Sequence, residues 1–349
     1  MSRTLELSRE RILAFRRHVS GLDERLPAGA DSLRVAAWAG LQDSMPRAAL
    51  LSIHARVEGT EPSTWEDSSL VQIWGPRFST YVVAADDVAP FTLGRLDEPG
   101  PSRRKGEEIA DRMAAHLDGR RMRDRELMEG IGIGNAIRYA APTGRFLIRW
   151  EGARAPEVWS VPAPEVAPPE ARAELARRYL HVFGPTAPER FAGWAGISDA
   201  SGRAAFESIE RGLTRARTPL GDRWILSSDE AAFRRKAPPP AAARLLPSGD
   251  TYYLFWGVDR ELLVPDAARR AELWTSRVWP GALLVDGEIA GTWRRATAKV
   301  LIQPWSRLTS AEHEAAEAEA ASLPLPGVQG RIIVEWVEVT ARRRARRSL

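Results

Sequence analysis

One order of segments recurs along this chain and constrains its fold more than any other feature: short helices separated by tight turns, then an extended segment. The second instance is the clearest. Residues 107–117 read as a helix, with Ile109, Met113 and Leu117 falling on one face at helical spacing. A shorter helix is expected over 124–129, followed by a turn at Gly130-Ile131-Gly132-Ile133-Gly134. Asn135 is placed to cap a third helix through 140, and 146–150 reads as a strand. The third instance repeats the order. A helix over 170–183 is broken by Gly184-Pro185, and a second covers 188–195. Gly196-Ile197 turn the chain, and Ser198 caps a helix running to 212. Strands at 213–217 and 224–227 are joined through Thr218-Pro219-Leu220-Gly221-Asp222. The first instance is less regular, with helices at 32–40 and 46–58 around a turn at 41–45, a short helix at 68–74 and a strand at 79–84. A helix over 8–19, capped by Ser8, precedes it.

Three helices followed by a β-hairpin is the order of a winged helix, which can set its last helix in a DNA major groove and touch the backbone with its hairpin. The expected fold class is therefore α+β: three tandem winged-helix units with a C-terminal β-containing region. The units are placed at 1–100 (with the N-terminal helix), 101–163 and 164–236, separated by proline-rich stretches at 162–169 and 237–243. A C-terminal α/β region occupies 237–340 and a basic tail 341–349. In the C-terminal region, 283–293 reads as two strands about Asp286-Gly287, a strong hairpin signal. The sheet continues at 299–304, a helix capped by Thr309 or Ser310 covers 310–321, and 331–339 is a late strand.

Composition narrows the chemistry. With no cysteine, there can be no disulfide, thiolate metal site or cysteine nucleophile. The five histidines, His18, His54, His116, His181 and His313, share no metal-ligand spacing, so no metal and no cofactor are expected. No apolar run approaches the roughly 18 residues of a membrane span, and 1–10 has no signal-peptide core, so no membrane contact and a cytoplasmic location are expected. The glycine run at 130–134 follows no expected strand and carries no Gly-Lys-Ser/Thr, so it reads as a turn rather than a phosphate loop. There is no Gly-x-Ser-x-Gly elbow and no convincing carboxylate pair; Asp86-Asp87 reads as a turn or helix start. Most of the 13 tryptophans are expected in the core, with one or two left to stack on bases.

The net charge is only +4, but the pI is about 9.7 and nearly every cation is Arg. Clusters stand at 103–105, 120–125, 234–236, 294–295 and 342–347, the last in a tail expected to be disordered. Arginine suits phosphate contact. An Arg-rich coding bias explains the same composition, and charge alone does not separate the two.

Several stretches then resemble one family. They are Gly40-Leu41-Gln42 with Pro46-Arg47-Ala48-Ala49-Leu50-Leu51, Trp74-Gly75-Pro76-Arg77, Asn135-Ala136-Ile137-Arg138-Tyr139-Ala140 with Thr143-Gly144-Arg145, Arg178-Tyr179-Leu180 with Phe183-Gly184-Pro185, Arg244-Leu245-Leu246-Pro247, and Leu284-Val285-Asp286-Gly287 with Gly291-Thr292-Trp293-Arg294. In this order, and over nearly the whole chain, the sequence resembles the AlkZ/YcaQ-like winged-helix DNA glycosylases. The resemblance implies tandem winged helices about a DNA-sized channel, double-stranded DNA as partner, and removal of bulky or cationic alkylated purines, interstrand crosslinks among them.

The family's chemistry is attributed to Gln-x-Gln or Gln-x-Asp near the N-terminus. Here the stretch is Gln42-Asp43-Ser44: Gln42 matches, Ser44 departs, and Asp43 supplies a carboxylate one residue early. An N7-alkylated guanine is already cationic and leaves as a neutral base without a general acid. What remains is to stabilise an oxocarbenium-like sugar and place a water, which amide and carboxylate oxygens can do. The plainer alternative makes Asp43 or Ser44 a helix cap and leaves Gln42 solvated. Arg77, Arg138, Arg294 and Arg295 are the expected DNA contacts: Arg138 by its place on the expected recognition helix, which tandem winged helices often turn inward to pack, and the last two because they follow the Asp286-Gly287 hairpin and a hairpin probes the duplex in the resembling proteins. For Arg294 and Arg295 a charge-protected strand edge is the alternative. The departure at Ser44 keeps open a non-catalytic DNA-binding or regulatory protein and, more weakly, an interaction scaffold. Three unlike units in one chain argue for a monomer that wraps DNA.

Overall fold

A computed structural model describes residues 4–337 except 46, 153, 237 and 329. The basic tail, the end of the expected last strand at 338–339, and Pro46 and Ala237 at two expected boundaries lie outside the described residues. The fold is α+β, with fourteen α-helices and three sheets among the described residues.

Local chemistry starts the elements where the sequence places caps. The Ser8 hydroxyl accepts from the Arg11 amide ahead of the helix Arg9–Val19. Thr309 and Glu312 form a reciprocal capping box on Ser310–Ala321. Ser198 caps Asp199–Ser208. At the hairpin between Gly281–Val285 and Glu288–Ala296, Asp286 and Gly287 both take positive φ (45° and 79°), as a tight Asp-Gly turn requires. Asn135 differs from expectation. It lies at φ 55° and makes no side-chain cap, so Ala136–Ala140 begins from a left-handed turn instead.

The stretch expected as a short helix at 68–74 is a strand, Leu70–Gly75. Val71, Ile73 and Trp74 are β-branched or aromatic, and the antiparallel pairing with Ser79–Ala84 runs six residues, from Leu70↔Ala84 to Gly75↔Ser79. Through the single pair Gln72↔Ile148 this strand meets Phe146–Arg149. One antiparallel six-stranded sheet results, in the order Leu41–Gln42, Ser79–Ala84, Leu70–Gly75, Phe146–Arg149, Glu157–Ser160, Met122–Arg123. It thus joins strands from the first two repeats. The third repeat's hairpin, Leu213–Thr218 with Gly221–Leu226, is extended by Leu5–Glu6 in parallel.

The C-terminal sheet has five strands, Ala243–Leu246, Gly281–Val285, Glu288–Ala296, Lys299–Pro304 and Ile333–Trp336, the last joined in parallel. Ser310–Ala321 packs on it through Ala316 and Ala320. The largest core cluster centres on Trp194, Tyr179, Phe183 and Phe191, and it reaches Tyr253 and Trp274 of the C-terminal region. The third repeat and the C-terminal region therefore share one apolar interior.

Candidate active site

The short strand Leu41–Gln42 pairs with Val82 and Tyr81, and the Asp43 amide donates to the Thr80 carbonyl (2.7 Å). Side chains alternate across a strand, so Gln42 and Asp43 turn to opposite sides. Gln42 lines a 570 Å³ cavity, yet only 8% of its surface is exposed. Its amide nitrogen donates to the Ser44 hydroxyl (2.6 Å), whereas its carbonyl oxygen is buried with no hydrogen-bond partner.

Asp43 faces inward and is fully buried. One carboxylate oxygen accepts from the Ala49 amide (3.0 Å) in the first turn of the helix Ala48–His54, and the other from the Gln72 amide nitrogen (2.8 Å). Gln72 is oriented in turn, because its carbonyl oxygen accepts from the Trp150 amide (2.7 Å). Burial pushes the Asp43 carboxyl up to about 7, while the Ala49 and Gln72 bonds and the nearby Arg47 guanidinium oppose the rise. Asp43 is thus the helix cap that sequence reasoning weighed, whereas Gln42, which that reading left in solvent, is buried. Gln72 was missed: as part of an expected helix, it gave no sign of facing Asp43.

A returning segment covers the cavity floor. Gly249, at φ 79°, lies so close that a Cβ there would be 3.4 Å from the Gln42 amide carbon. Its neighbour Asp250 is buried and paired with buried Arg56 through 2.7 and 2.8 Å contacts, and it also accepts from the Ser52 hydroxyl (2.7 Å) and the Tyr252 amide (2.9 Å). Ser52 belongs to the helix that Asp43 caps, and Arg56 follows directly after it.

The cavity walls come from Arg77 and from 256–279. The Arg77 guanidinium stands 4.3 Å from the Trp256 ring centre and 5.2 Å from that of Trp279. Arg260 stands 5.0 Å from Trp274 and 5.2 Å from Trp279. Burial pushes Arg77 down, and it pushes Arg260, with Arg77 as a like-charged neighbour, down to about 10. Arg77 holds a left-handed backbone conformation (φ 57°), costly for a non-glycine residue, so local strain is accepted to put this guanidinium on the wall.

Arg294 and Arg295 line a neighbouring 340 Å³ cavity. Arg294 is exposed, and Arg295 is half-buried near enough to Arg47 to feel its charge. The Asp286-Gly287 turn ahead of them is held against the N-terminal helix. Glu288 makes a two-pronged ion pair with Arg9 (2.6 and 2.8 Å), and the Arg17 guanidinium packs over Gly287. The turn near Arg294 and Arg295 is instead the next one, about Thr297 at φ 55°. Arg138 lines neither cavity; its guanidinium covers the exposed Phe78 ring at 4.1 Å. The structure therefore brings Gln42, Ser44 and Arg77 together, sets Arg294 and Arg295 next door, and keeps Asp43 and Arg138 apart. Among the described residues no group of three or more His, Asp or Glu side chains could hold a metal, and no helix is long and apolar enough to cross a membrane.

The site is thus a basic, tryptophan-walled cleft with a buried amide at its floor, carried on sheet-linked helical units. The sequence profile of the AlkZ-like DNA glycosylases matches residues 35–324, and the chain belongs to that family. Among solved structures, the Streptomyces sahachiroi DNA glycosylase AlkZ superposes with a TM-score of 0.77 over 95% of this chain and 100% of that one, at 20% identity, which establishes a shared fold. No curated protein matches the sequence.

Proposed function

We propose that this DNA glycosylase hydrolyses the N-glycosidic bond of bulky or cationic alkylated purines, N7-alkylguanines above all, in duplex DNA. Gln42 is the catalytic group. The observation that carries the reading is the Gln42 carbonyl oxygen, buried and without a partner at the floor of the cavity. A buried acceptor left unsatisfied costs about 1–3 kcal/mol, which argues for a group held ready for a ligand. Such an oxygen can hold the attacking water, or lie against the sugar as positive charge develops there.

Ser44 stands where the family pattern has a second Gln or Asp, and its hydroxyl takes the Gln42 NH2 group. It thereby fixes which end of the amide faces the cavity. Asp43 acts from behind, fixing the helix start and, through Gln72, the adjacent strand. Arg77, Arg138, Arg294 and Arg295 contact phosphates as the chain binds duplex DNA, as a monomer and with little sequence preference. Both Asp43 oxygens are occupied away from the cavity. That favours the second reading, a DNA-binding protein of this fold that performs no hydrolysis.

Base release from duplex DNA carrying N7-methylguanine separates the two. Wild type is expected to exceed the spontaneous rate, and Gln42→Ala to lose about 10²–10³-fold, as for removal of one preorganised polar group. Release by Gln42→Ala equal to wild type would remove Gln42 from the chemistry. No release by wild type, with salt-dependent duplex binding intact, would establish the non-catalytic reading.

A further inference from the structure

The cavity beside the Gln42 cleft has no part in the chemistry above. Its volume is 340 Å³, and it shares Met45, Ser248, Val278 and Trp279 with the cleft, so the two spaces adjoin. Its interior is apolar. Leu51 and Trp293 are buried, and the Trp293 indole N–H is already spent on the Leu246 carbonyl (2.8 Å), leaving only hydrocarbon to a guest. Ala48 and Ser248 are small residues among the lining, and Gly281 lets Trp293 pack against the strand, since a Cβ there would stand 2.2 Å from the indole nitrogen. Apart from Ser248, its polar side chains are gathered at one end, where Arg294 and Arg295 come from the end of the strand Glu288–Ala296 and Thr297 from the turn that follows.

An alkyl group on purine N7 leaves the base in the plane of the ring, on the major-groove edge, with C8 between it and the nitrogen that bears the sugar. A base seated against Gln42 must therefore send its substituent into whatever space adjoins the cleft. We propose that this second cavity is a subsite for the substituent of the alkylated base, taking an aryl or branched alkyl group whose outer end is polar or anionic and meets Arg294 and Arg295. The inference rests on the reading of Gln42 as the catalytic group and deepens it. It makes the appended group, as well as the base, a determinant of which lesion is removed. A small methyl lesion leaves the subsite empty, and a neutral aryl lesion fills its apolar part. An aryl group ending in a carboxylate also uses the guanidiniums, where a charge-assisted bond strengthens the contact.

The test compares kcat/KM for N7-methylguanine, N7-benzylguanine and N7-(4-carboxybenzyl)guanine in one duplex, each divided by its spontaneous loss. Burying a phenyl-sized group is expected to favour benzyl over methyl by about 10–100-fold, and the carboxylate to add further. Thr297 lines the cavity and is exposed, and Thr297→Trp adds an indole there that is expected to take up part of the space. It should bring benzyl to within about threefold of methyl while leaving methyl release unchanged. Ala48→Leu fills the same space from the floor and should act alike. Arg294→Gln should lower kcat/KM for all three lesions by a common factor through its phosphate contact and, beyond that, remove the advantage of carboxybenzyl over benzyl, a ratio the phosphate contact does not move. Benzyl preference surviving both filling variants, or methyl and benzyl release falling equally in both, would overturn the subsite. Wild type releasing both lesions without preference would overturn it too, and leave Gln42's role standing. Release of neither would instead overturn the catalytic reading on which it depends.

Discussion

Replacing Asp43 by Asn sets two effects of known sign against each other. Burial raises the carboxyl from 3.8 to about 7, so the folded state holds a proton that the unfolded chain releases above pH 4. Stability from this group is fully present below the unfolded value and is lost as pH rises toward 7. The loss is about 4 kcal/mol at 1.36 kcal/mol per pKa unit. The side chain introduced by Asp43→Asn does not titrate, but both Asp43 oxygens face donors, the Ala49 amide and the Gln72 NH2 group. Gln72 cannot turn over without breaking its bond from the Trp150 amide, so one NH2 group of the variant meets another donor, at a cost of about 1–3 kcal/mol. Asp43→Asn should therefore be the less stable protein at pH 4 and the more stable at pH 8, with the curves crossing at about pH 4.5 to 6. The assay is urea unfolding of both proteins across that range. Only their difference is informative. Burial and the Arg25 and Arg244 charges push His54 down to about 3, so both proteins lose stability from that group as pH falls below 6.5; it opposes Asp43 in the wild type and cancels in the difference. A difference that stays constant with pH would refute the reasoning, showing that the bonds from Ala49 and Gln72 outweigh burial.

Asp250→Ala leaves the buried Arg56 guanidinium without its carboxylate and should destabilise the fold by about 3–5 kcal/mol, read by the same urea titration. Gly249→Ala puts a methyl group 3.4 Å from the Gln42 amide and should slow base release with little change in duplex affinity. In a Gln42→Ala background the same change should have no further effect, and additive losses would show that Gly249 does not act through Gln42. Arg295→Gln should lower the slope of log K against log salt for duplex binding by about 0.9, the value for one phosphate contact; an unchanged slope would take Arg295 off the backbone.

What the sequence made legible was short-range. Ser8, Ser198 and Thr309 announce helix starts because a cap bonds within three residues of itself. Asp286-Gly287 announces a hairpin because both residues tolerate positive φ. The stretch 68–74 was misread because its apolar residues are few and their spacing fits either period; its pairing partners decide the matter, and they lie at 79–84 and 148. The resemblance led to Gln42, but nothing local showed that Gln42 and Asp43 would face apart, or that Gln72 would be Asp43's partner. The cavity walls were hidden for the same reason. Trp256, Trp274 and Trp279 stand more than two hundred residues from Gln42 and meet it only after the C-terminal region folds back.

That return explains how a two-residue strand can hold the Gln42 amide still. Asp43 ties the strand end to the start of the helix Ala48–His54, and Ser52 and Arg56, at its end, grip Asp250. Asp250 fixes the turn whose Gly249 rests on the Gln42 amide, and Ser44 takes that amide's NH2 group. The contacts close a ring that begins and ends at Gln42, and every polar link in it is made within the protein except at the Gln42 carbonyl oxygen. Rotating the amide would break the bond to Ser44 and press against Gly249, and moving the turn would strip a buried ion pair. The residue that replaces the family's second acidic or amide group therefore need not do that group's chemistry. In a ring closed this way a hydroxyl suffices to hold Gln42 in place, and the oxygen proposed to react is the one the ring leaves free.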